Sequence, residues 1–170
     1  WKKGLLADKE IKSLLPEVQD WSGLSAVACG SWHFVGLRTD GTVIGAGKKM
    51  CCLEEVSLWT NVTAIACCRY GTVGLCEDGT VVSCGFPKEV AEKLALWTDI
   101  TAMACGKEHI VGLRRNGTVV ACGENGNGQC DVDGFCNVGM ISASGECTAL
   151  VFNDGTIKAV GKIAGPSMDD

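Results

Sequence analysis

The stretch that decides the fold is residues 97–134, which read WTDITAMACGKEHIVGLRRNGTVVACGENGNGQCDVDG. Its first residue, Trp97, recurs at a spacing of 38 residues as Trp59 and Trp21 in one direction and as Phe135 in the other. The same spacing joins the Asp-Gly or Asn-Gly pairs, each followed by Thr and then Val or Ile, at 40–41, 78–79, 116–117 and 154–155. A spacing that is kept at so many positions predicts four consecutive copies of one structural unit.

Each unit contains three short runs with the composition of β-strands. In residues 97–134 these runs lie at 100–105, 110–114 and 118–122. The Asn-Gly pair between the second and third runs favours a type I′ turn, because both central residues of that turn need φ > 0. The sequence therefore predicts four β-hairpins with type I′ turns.

The first run of each unit is apolar on both faces. Small side chains such as Ala102 and Ala104 alternate with a larger one, Met103. A strand of this kind belongs to a sheet that is packed between neighbouring sheets. Four-stranded sheets that repeat about every 40 residues are typical of a β-propeller. The expected fold class is all-β, a partial β-propeller of about four blades of 38-residue repeats.

The segment after the third run varies between units. Residues 124–132 predict a turn that leads into a short outer strand. Residues 86–96 predict a short helix, because Pro87 suits a helix start and because Glu89 and Lys93 form an i,i+4 pair. We expect one incomplete propeller domain, with residues 1–20 as the tail of a preceding blade that includes a short helix at 5–15, followed by blade 1 (21–58), blade 2 (59–96), blade 3 (97–134) and blade 4 (135–170). The chain begins without Met, so we expect a fragment or a processed chain.

Composition argues against two classes of function. The net charge is −5 and the isoelectric point lies near 5.0, whereas a protein that neutralises nucleic-acid phosphates needs a basic stripe. No window approaches the ~20 uninterrupted apolar residues of a membrane helix. We expect neither nucleic acid nor membrane as a partner.

The 12 cysteines permit three interpretations: metal ligands, disulfides or small core residues. Cys84 and Cys122 occupy the repeat position that holds Ala46 and Val160 in the other units. Exchange with Ala and Val favours packing, since an unpaired Cys behaves as a small hydrophobe. Unpaired thiols fit a reducing compartment, so we expect a cytoplasmic protein, with secretion from an anaerobe as the alternative.

Residues 97–132 resemble the repeat of the regulator of chromosome condensation family, particularly of its bacterial members, at their glycines, at His109 and at Gly128-Gln129. The resemblance implies a propeller, usually of seven blades, that is used for protein recognition. Family members range from a guanine-nucleotide exchange factor to a plant ultraviolet photoreceptor and a secreted inhibitor of β-lactamases, so the fold selects no function. The motif histidine is kept as His33 but replaced by Gly71 and Cys147. No tryptophan-dense core and no nucleotide-site wedge is present, so the light-sensing and exchange-factor roles are not carried over.

No group of residues predicts catalysis. His33 and His109 lie two whole blades apart, and we expect each to be structural, with a ring nitrogen bonded to a backbone group inside its own blade. Neither a cofactor nor a metal ion is expected. The loops offer more, because the tips between first and second strands and the segments after third strands should lie on one face. Aromatic residues and Arg often anchor interfaces. The candidate protein-binding residues are Ser31, Trp32, Lys49, Arg69, Tyr70, Phe86, Lys107, Glu108, Asn125 and Glu146. That Trp32 and Tyr70 merely cover their own blades stays an open alternative.

The sequence thus predicts a non-enzymatic scaffold that binds another protein, of unknown identity, through loops on one face. The alternative is a structural module that completes a propeller ring by homodimerisation or as part of a longer protein. That alternative depends on the two end blades, whose outer faces should expose the Ala, Val and Cys side chains that inner blades bury. An enzyme or metal protein that uses its thiols is a third, less favoured hypothesis.

Overall fold

The computed structural model describes residues 21–47, 53–69 and 71–162, so the helix expected at 5–15 lies outside the described residues. The described chain forms four antiparallel sheets of three strands each, one in each predicted blade, and the middle strand pairs with both others. The strands are β1 (Leu24–Cys29), β2 (His33–Arg38) and β3 (Val43–Gly47) in blade 1; β4 (Val62–Cys67), β5 (Thr72–Cys76) and β6 (Val81–Cys84) in blade 2; β7 (Ile100–Cys105), β8 (His109–Arg114) and β9 (Val119–Gly123) in blade 3; and β10 (Val138–Ser144), β11 (Glu146–Phe152) and β12 (Ile157–Lys162) in blade 4. Helices α1 (Leu53–Val56) and α2 (Lys88–Ala95) follow β3 and β6.

The blades pack side by side in chain order. The first strand of each blade contacts the first strand of the next, and an apolar cluster fills each of the three interfaces. Two successive blades contribute to each cluster, as the both-sided apolar strands predict. This arrangement is an arc of a β-propeller, and the expected all-β fold class is confirmed.

The four hairpins are present, but the predicted turn type is wrong. In blade 1, the Gly41 N–H donates to Arg38 O at 3.0 Å, and the Arg38 N–H donates to Thr42 O at 2.8 Å. Of the Asp40-Gly41 pair, only the glycine has a positive φ, of 78°. This geometry is a type I turn followed by a G1 bulge. Asp40 favours it because its carboxylate accepts hydrogen bonds from both the N–H and the hydroxyl of Thr42, and the pattern recurs in every blade.

The predicted fourth strand is also wrong for the described residues, where each sheet has three strands. In blade 3, Asn125 Oδ1 accepts the Cys130 N–H at 2.7 Å, and Asn125 Nδ2 donates to Asp131 Oδ1 at 2.8 Å. These bonds fold the expected outer strand into turns. Helix or turn, this segment supplies one fully buried apolar side chain at the same repeat position in three blades: Val56, Leu94 and Val132.

The helix predicted at 86–96 is confirmed as α2. Pro87 occupies its N-cap, and Leu94 is buried while Val90 packs against the same cluster. An ion pair along the helix joins Lys88 and Glu92 at 3.6 Å, one residue earlier than the predicted pair.

The spacing predicts that the periodic aromatic residues are core residues; Trp97 is buried, whereas Trp21, Trp59 and Phe135 are half-buried. In blade 3 the Trp97 ring lies on Gly112, where a Cβ would come within 2.8 Å of it. Blades 1 and 2 repeat this arrangement. In blade 4, Leu150 takes the place of that glycine and the smaller Phe135 takes the place of the tryptophan, so the two changes compensate. Phe135 packs edge-on against Phe152, with ring centroids 6.1 Å apart.

Backbone hydrogen bonds also join the blades at the hairpin end. The first-strand residue of each blade donates its N–H to the turn glycine of the preceding blade, always at 3.0 Å. The pairs are Val62 with Gly41, Ile100 with Gly79, and Val138 with Gly117.

Candidate functional site

The tips between first and second strands form a continuous row on the opposite end of the blades. Each tip donates a backbone N–H to a carbonyl of the next: Ser31 to Arg69 at 3.3 Å, Arg69 to Lys107 at 2.9 Å, and Lys107 to Gly145 at 2.8 Å. Because the backbone fixes the tips to one another, their side chains form one surface that spans the blade interfaces.

Two ion pairs cross this surface. Arg69 Nη1 lies 2.9 Å from Glu108 Oε1, and Lys107 Nζ lies 3.9 Å from Glu146 Oε1. All four side chains keep roughly half of their surface in solvent. Exposed pairs of this kind contribute only about 0–1 kcal/mol to stability, so their charges are available for a partner at little cost to the fold.

A groove of about 350 Å³ opens on this surface between blades 2 and 3. Its floor is mostly apolar, with Cys68, Phe86 and Val90, and its rim is charged. The lining residues are Cys68, Arg69, Gly71, Gly85, Phe86, Pro87, Val90, Lys107, Glu108, Gly123 and Glu124. An apolar floor with a few charged groups at the rim is the usual composition of a site that accepts an apolar group of a ligand or partner.

The groove lies at the one blade interface of the described arc that lacks the motif histidine. Gly71 occupies the histidine position in blade 2, and a Cβ on it would fall on the Phe86 ring. The aromatic ring therefore occupies space that a side chain at residue 71 would need. Ile110, the facing residue of blade 3, is fully buried, so this interface is apolar where its neighbours are polar.

At the other two interfaces the motif histidine bonds to the next blade. His33 Nε2 lies 2.9 Å from Thr72 Oγ1, and His109 Nε2 lies 2.9 Å from Thr148 Oγ1. Thr148 donates its only hydroxyl hydrogen to Gln129 O at 2.8 Å, so the His109 Nε2–H must be the donor to Thr148. Both rings are 1% exposed and have the expected structural role. The expected partner is wrong, because each ring bonds a threonine hydroxyl of the next blade and not a backbone group inside its own blade.

The residue three positions before the motif residue varies with it. Gly30 precedes His33 and Gly106 precedes His109, and a Cβ on either glycine would meet the imidazole. Where the histidine is replaced, by Gly71 and Cys147, the earlier residue is Cys68 or Ser144. Burial lowers the pKa of both histidines, which favours neutral rings, and a neutral ring can still donate its Nε2–H to the threonine hydroxyl.

Three thiols, those of Cys105, Cys122 and Cys130, are held in the protonated form. Burial raises the pKa of Cys122 to about 12 and that of Cys130 to about 11. A hydrogen bond with Cys68, together with burial, raises the pKa of Cys105 well above its ordinary value. A protonated thiol is a poor nucleophile and a poor metal ligand. Within the described ranges, no three His, Cys, Asp or Glu side chains are grouped to hold a metal ion.

The structure brings together four of the ten candidate binding residues, Arg69, Phe86, Lys107 and Glu108, around the groove. Glu146 is joined to this group through Lys107. Ser31 joins the row of tips by its backbone, Trp32 lies at the tip of blade 1 with 37% of its surface exposed, and the Asn125 side chain binds within its own loop. Lys49 and Tyr70 lie outside the described residues.

Sequence reasoning missed Gly71, Cys68, Val90 and Glu124 as groove residues. A signal was present at residue 71, where the repeat replaces a bulky histidine by glycine while Phe86 appears after the third strand. That the ring fills the vacated space required the three-dimensional arrangement.

Comparisons with known proteins agree with this architecture. The model of the regulator of chromosome condensation (RCC1) repeat matches residues 25–49 and 100–129, and the resemblance to that family is confirmed. Its restriction to bacterial members stays a prediction. No curated protein matches the chain.

Solved propellers share the fold. The yeast RCC1 protein Prp20, in a structure with Kap60, has a TM-score of 0.67 and 17% identity over 83% of this chain and 44% of its own. Prp20p of Saccharomyces cerevisiae, studied with its binding to Gsp1p and histones, has a TM-score of 0.66 and 18% identity over 83% of this chain and 46% of its own. The ectodomain of the receptor kinase CR4 from Physcomitrella patens has a TM-score of 0.67 and 20% identity over 85% of this chain and 42% of its own. The chain thus spans less than half the length of these propellers. None of the helices described is long and apolar enough to cross a bilayer.

Proposed function

We propose that this chain, whose blades are repeats of the regulator of chromosome condensation family, is a non-enzymatic scaffold that binds another protein through the loops at the tip end. The observation that carries the proposal is the groove between blades 2 and 3. It combines an apolar floor with a charged rim on a surface whose backbone is fixed across the blades.

The partner that fits the groove is an extended segment with one apolar side chain. That side chain would contact Phe86 and Val90, and flanking polar groups would meet the rim charges of Lys107 and Glu108. Burying an apolar side chain of this size contributes about 1.5–3 kcal/mol, which is the contribution of an interface anchor. Yeast Prp20, similar in fold, has been crystallised with a protein partner, Kap60, which supports protein recognition as the function.

The proposal excludes catalysis by the groups described here. The histidines are buried in hydrogen bonds between blades, and burial raises the pKa of the Cys122 and Cys130 thiols. The compartment expected from the cysteine content, the reducing cytoplasm, is part of the same proposal.

The test is affinity capture from the native cell with two matched charge reversals. Glu108→Lys changes the groove rim, whereas Glu77→Lys changes an equally exposed residue beside the hairpin turn at the opposite end. We expect Glu108→Lys, and independently Val90→Asp, to reduce capture of a specific partner at least tenfold while Glu77→Lys retains it. The unfolding curves of the two charge-reversal variants, Glu108→Lys and Glu77→Lys, should match that of the parent. Equal capture by all variants would refute the groove as the binding site.

A further inference from the structure

The two outer faces of the arc carry side chains that the inner blades bury. On blade 1, Val27 is 67% exposed and Phe34 is 38% exposed. In blades 2 to 4, every residue at the Phe34 position is fully buried: Thr72, Ile110 and Thr148. On blade 4, Ile157 is 72% exposed, whereas the residues at its repeat position are at most 7% exposed: Val43, Val81 and Val119.

The two outer faces also end the two series of backbone hydrogen bonds with complementary groups. Blade 4 ends the tip series with the Gly145 N–H and the hairpin series with the Gly155 carbonyl. Blade 1 offers the Ser31 carbonyl and the Leu24 N–H at the matching repeat positions. Among the described residues, none of these four groups has the between-blade partner that its equivalents have.

The side chains at the motif position match as well. Cys147 stands on the blade 4 face where the motif histidine would be, and Phe34 stands on the blade 1 face where a threonine would receive it. An apolar pair at this position already occurs inside the arc, where Gly71 and Phe86 face Ile110. A histidine on the blade 4 face would find no acceptor in Phe34, and blade 4 carries Cys147 instead of a histidine at that position.

We propose that the outer face of blade 4 binds the outer face of blade 1 of a second copy of this chain, and that two copies close a ring of eight blades with two-fold symmetry. The repeat makes the two faces complementary, because each interface inside the arc already joins the same two kinds of face. The chain spans less than half the length of the yeast Prp20 propeller, so two copies supply about the length of one such ring. Two equivalent interfaces form at once, and a closed ring leaves neither face exposed.

Light scattering after gel filtration of the full chain at micromolar concentration gives the first test. We expect a particle with twice the 17.8 kDa mass of one chain. Ile157→Asp and Val27→Asp place a carboxylate in the interface and should each weaken pairing at least a hundredfold. The controls are Leu96→Asp and Leu58→Asp, which are 78% and 79% exposed but lie beside the outer segments, and they should leave the mass unchanged. A single-chain mass for the parent, or equal effects of test and control variants, would overturn the proposal.

A second measurement asks whether these particular faces meet. Ser144→Gly with Cys147→His installs the motif histidine on blade 4, and Phe34→Thr installs its acceptor on blade 1. If the faces meet, the combined variant should dimerise about five- to 150-fold more tightly than the separate effects predict, the coupling of two buried hydrogen bonds, one in each of the two equivalent interfaces. Strictly additive effects would show that the chain pairs by another surface and would refute this geometry. The groove lies between blades 2 and 3, so failure here leaves the proposed protein-binding site unaffected.

Discussion

Replacing Thr148 by Val tests how the motif histidine stabilises the array. The two side chains have nearly the same shape, and Ile110 shows that an apolar residue packs at this repeat position when no histidine faces it. The substitution removes the hydroxyl that accepts from His109 and donates to Gln129 O. It therefore leaves one buried donor and one buried acceptor without partners.

The magnitude follows from these two groups. Each hydrogen bond contributes about 0.5–1.5 kcal/mol net, and each buried group left unpaired costs about 1–3 kcal/mol. Because His109 and Gln129 are each 1% exposed, water does not replace the hydroxyl. We expect Thr148→Val to lower the free energy of unfolding by about 2–6 kcal/mol, the cost of leaving these two buried groups unpaired.

Urea unfolding followed by tryptophan fluorescence at neutral pH measures this change. The matched control is Thr148→Ser, which keeps the hydroxyl and loses one methyl group, at a cost of about 1 kcal/mol. Thr72→Val should change the stability in the same direction at the first interface, where His33 is the partner. If the Val and Ser variants lose the same stability, the contact with His109 contributes through packing alone and the hydrogen-bond reasoning is refuted.

Two further predictions concern pH and turn geometry. Burial lowers the pKa of His33 and His109 in the folded chain, so the unfolded chain binds more protons than the folded chain below about pH 6.5. The free energy of unfolding should therefore fall as the pH falls through that value, by at most about 1.4 kcal/mol per pH unit for each histidine. An acid titration in which the urea midpoint shows no such fall between about pH 7 and pH 5 would contradict this prediction. Gly117→Val puts a β-branched residue at a φ of 79° and should lower the free energy of unfolding by about 1–3 kcal/mol. Thermal unfolding compares this variant with Gly126→Val, at a position that has no positive φ. Equal melting temperatures would contradict the turn assignment.

Much of the fold could be predicted because each feature recurs in four copies of the repeat, and agreement between the copies resolves what a single copy leaves ambiguous. The spacing of Trp21, Trp59 and Trp97 gave the number of units, and the alternation of small and large apolar residues gave sheets that are packed on both faces. The turn type could not be predicted from the Asp-Gly pair, because the carboxylate bond to Thr42 decides between two turns that both place glycine at a positive φ. The fourth strand failed for a similar reason, since the side-chain bonds of Asn125 compete with strand formation.

The sequence predicted which loops form the candidate surface, but it did not predict every residue that lines the groove. The expected tip face is the one on which Arg69, Phe86, Lys107 and Glu108 meet. Val90 was expected only within the helix at 86–96, because its position at the groove depends on how α2 packs against blade 3. A further repeat signal lay unused at residues 23, 61, 99 and 137, where Gly, Asn or Asp adopts a positive φ just before the first strand of each blade.

The alternation of polar and apolar blade interfaces has a consequence for how this array can change its length. Removing blade 2 alone would place His33 against Ile110, a buried donor against a hydrocarbon. Removing blades 2 and 3 together would place His33 against Thr148, which restores the pair found at each end of the excised segment. The smallest internal deletion or duplication that keeps every interface matched is therefore two blades, so a matched internal change in length proceeds by twice the structural repeat.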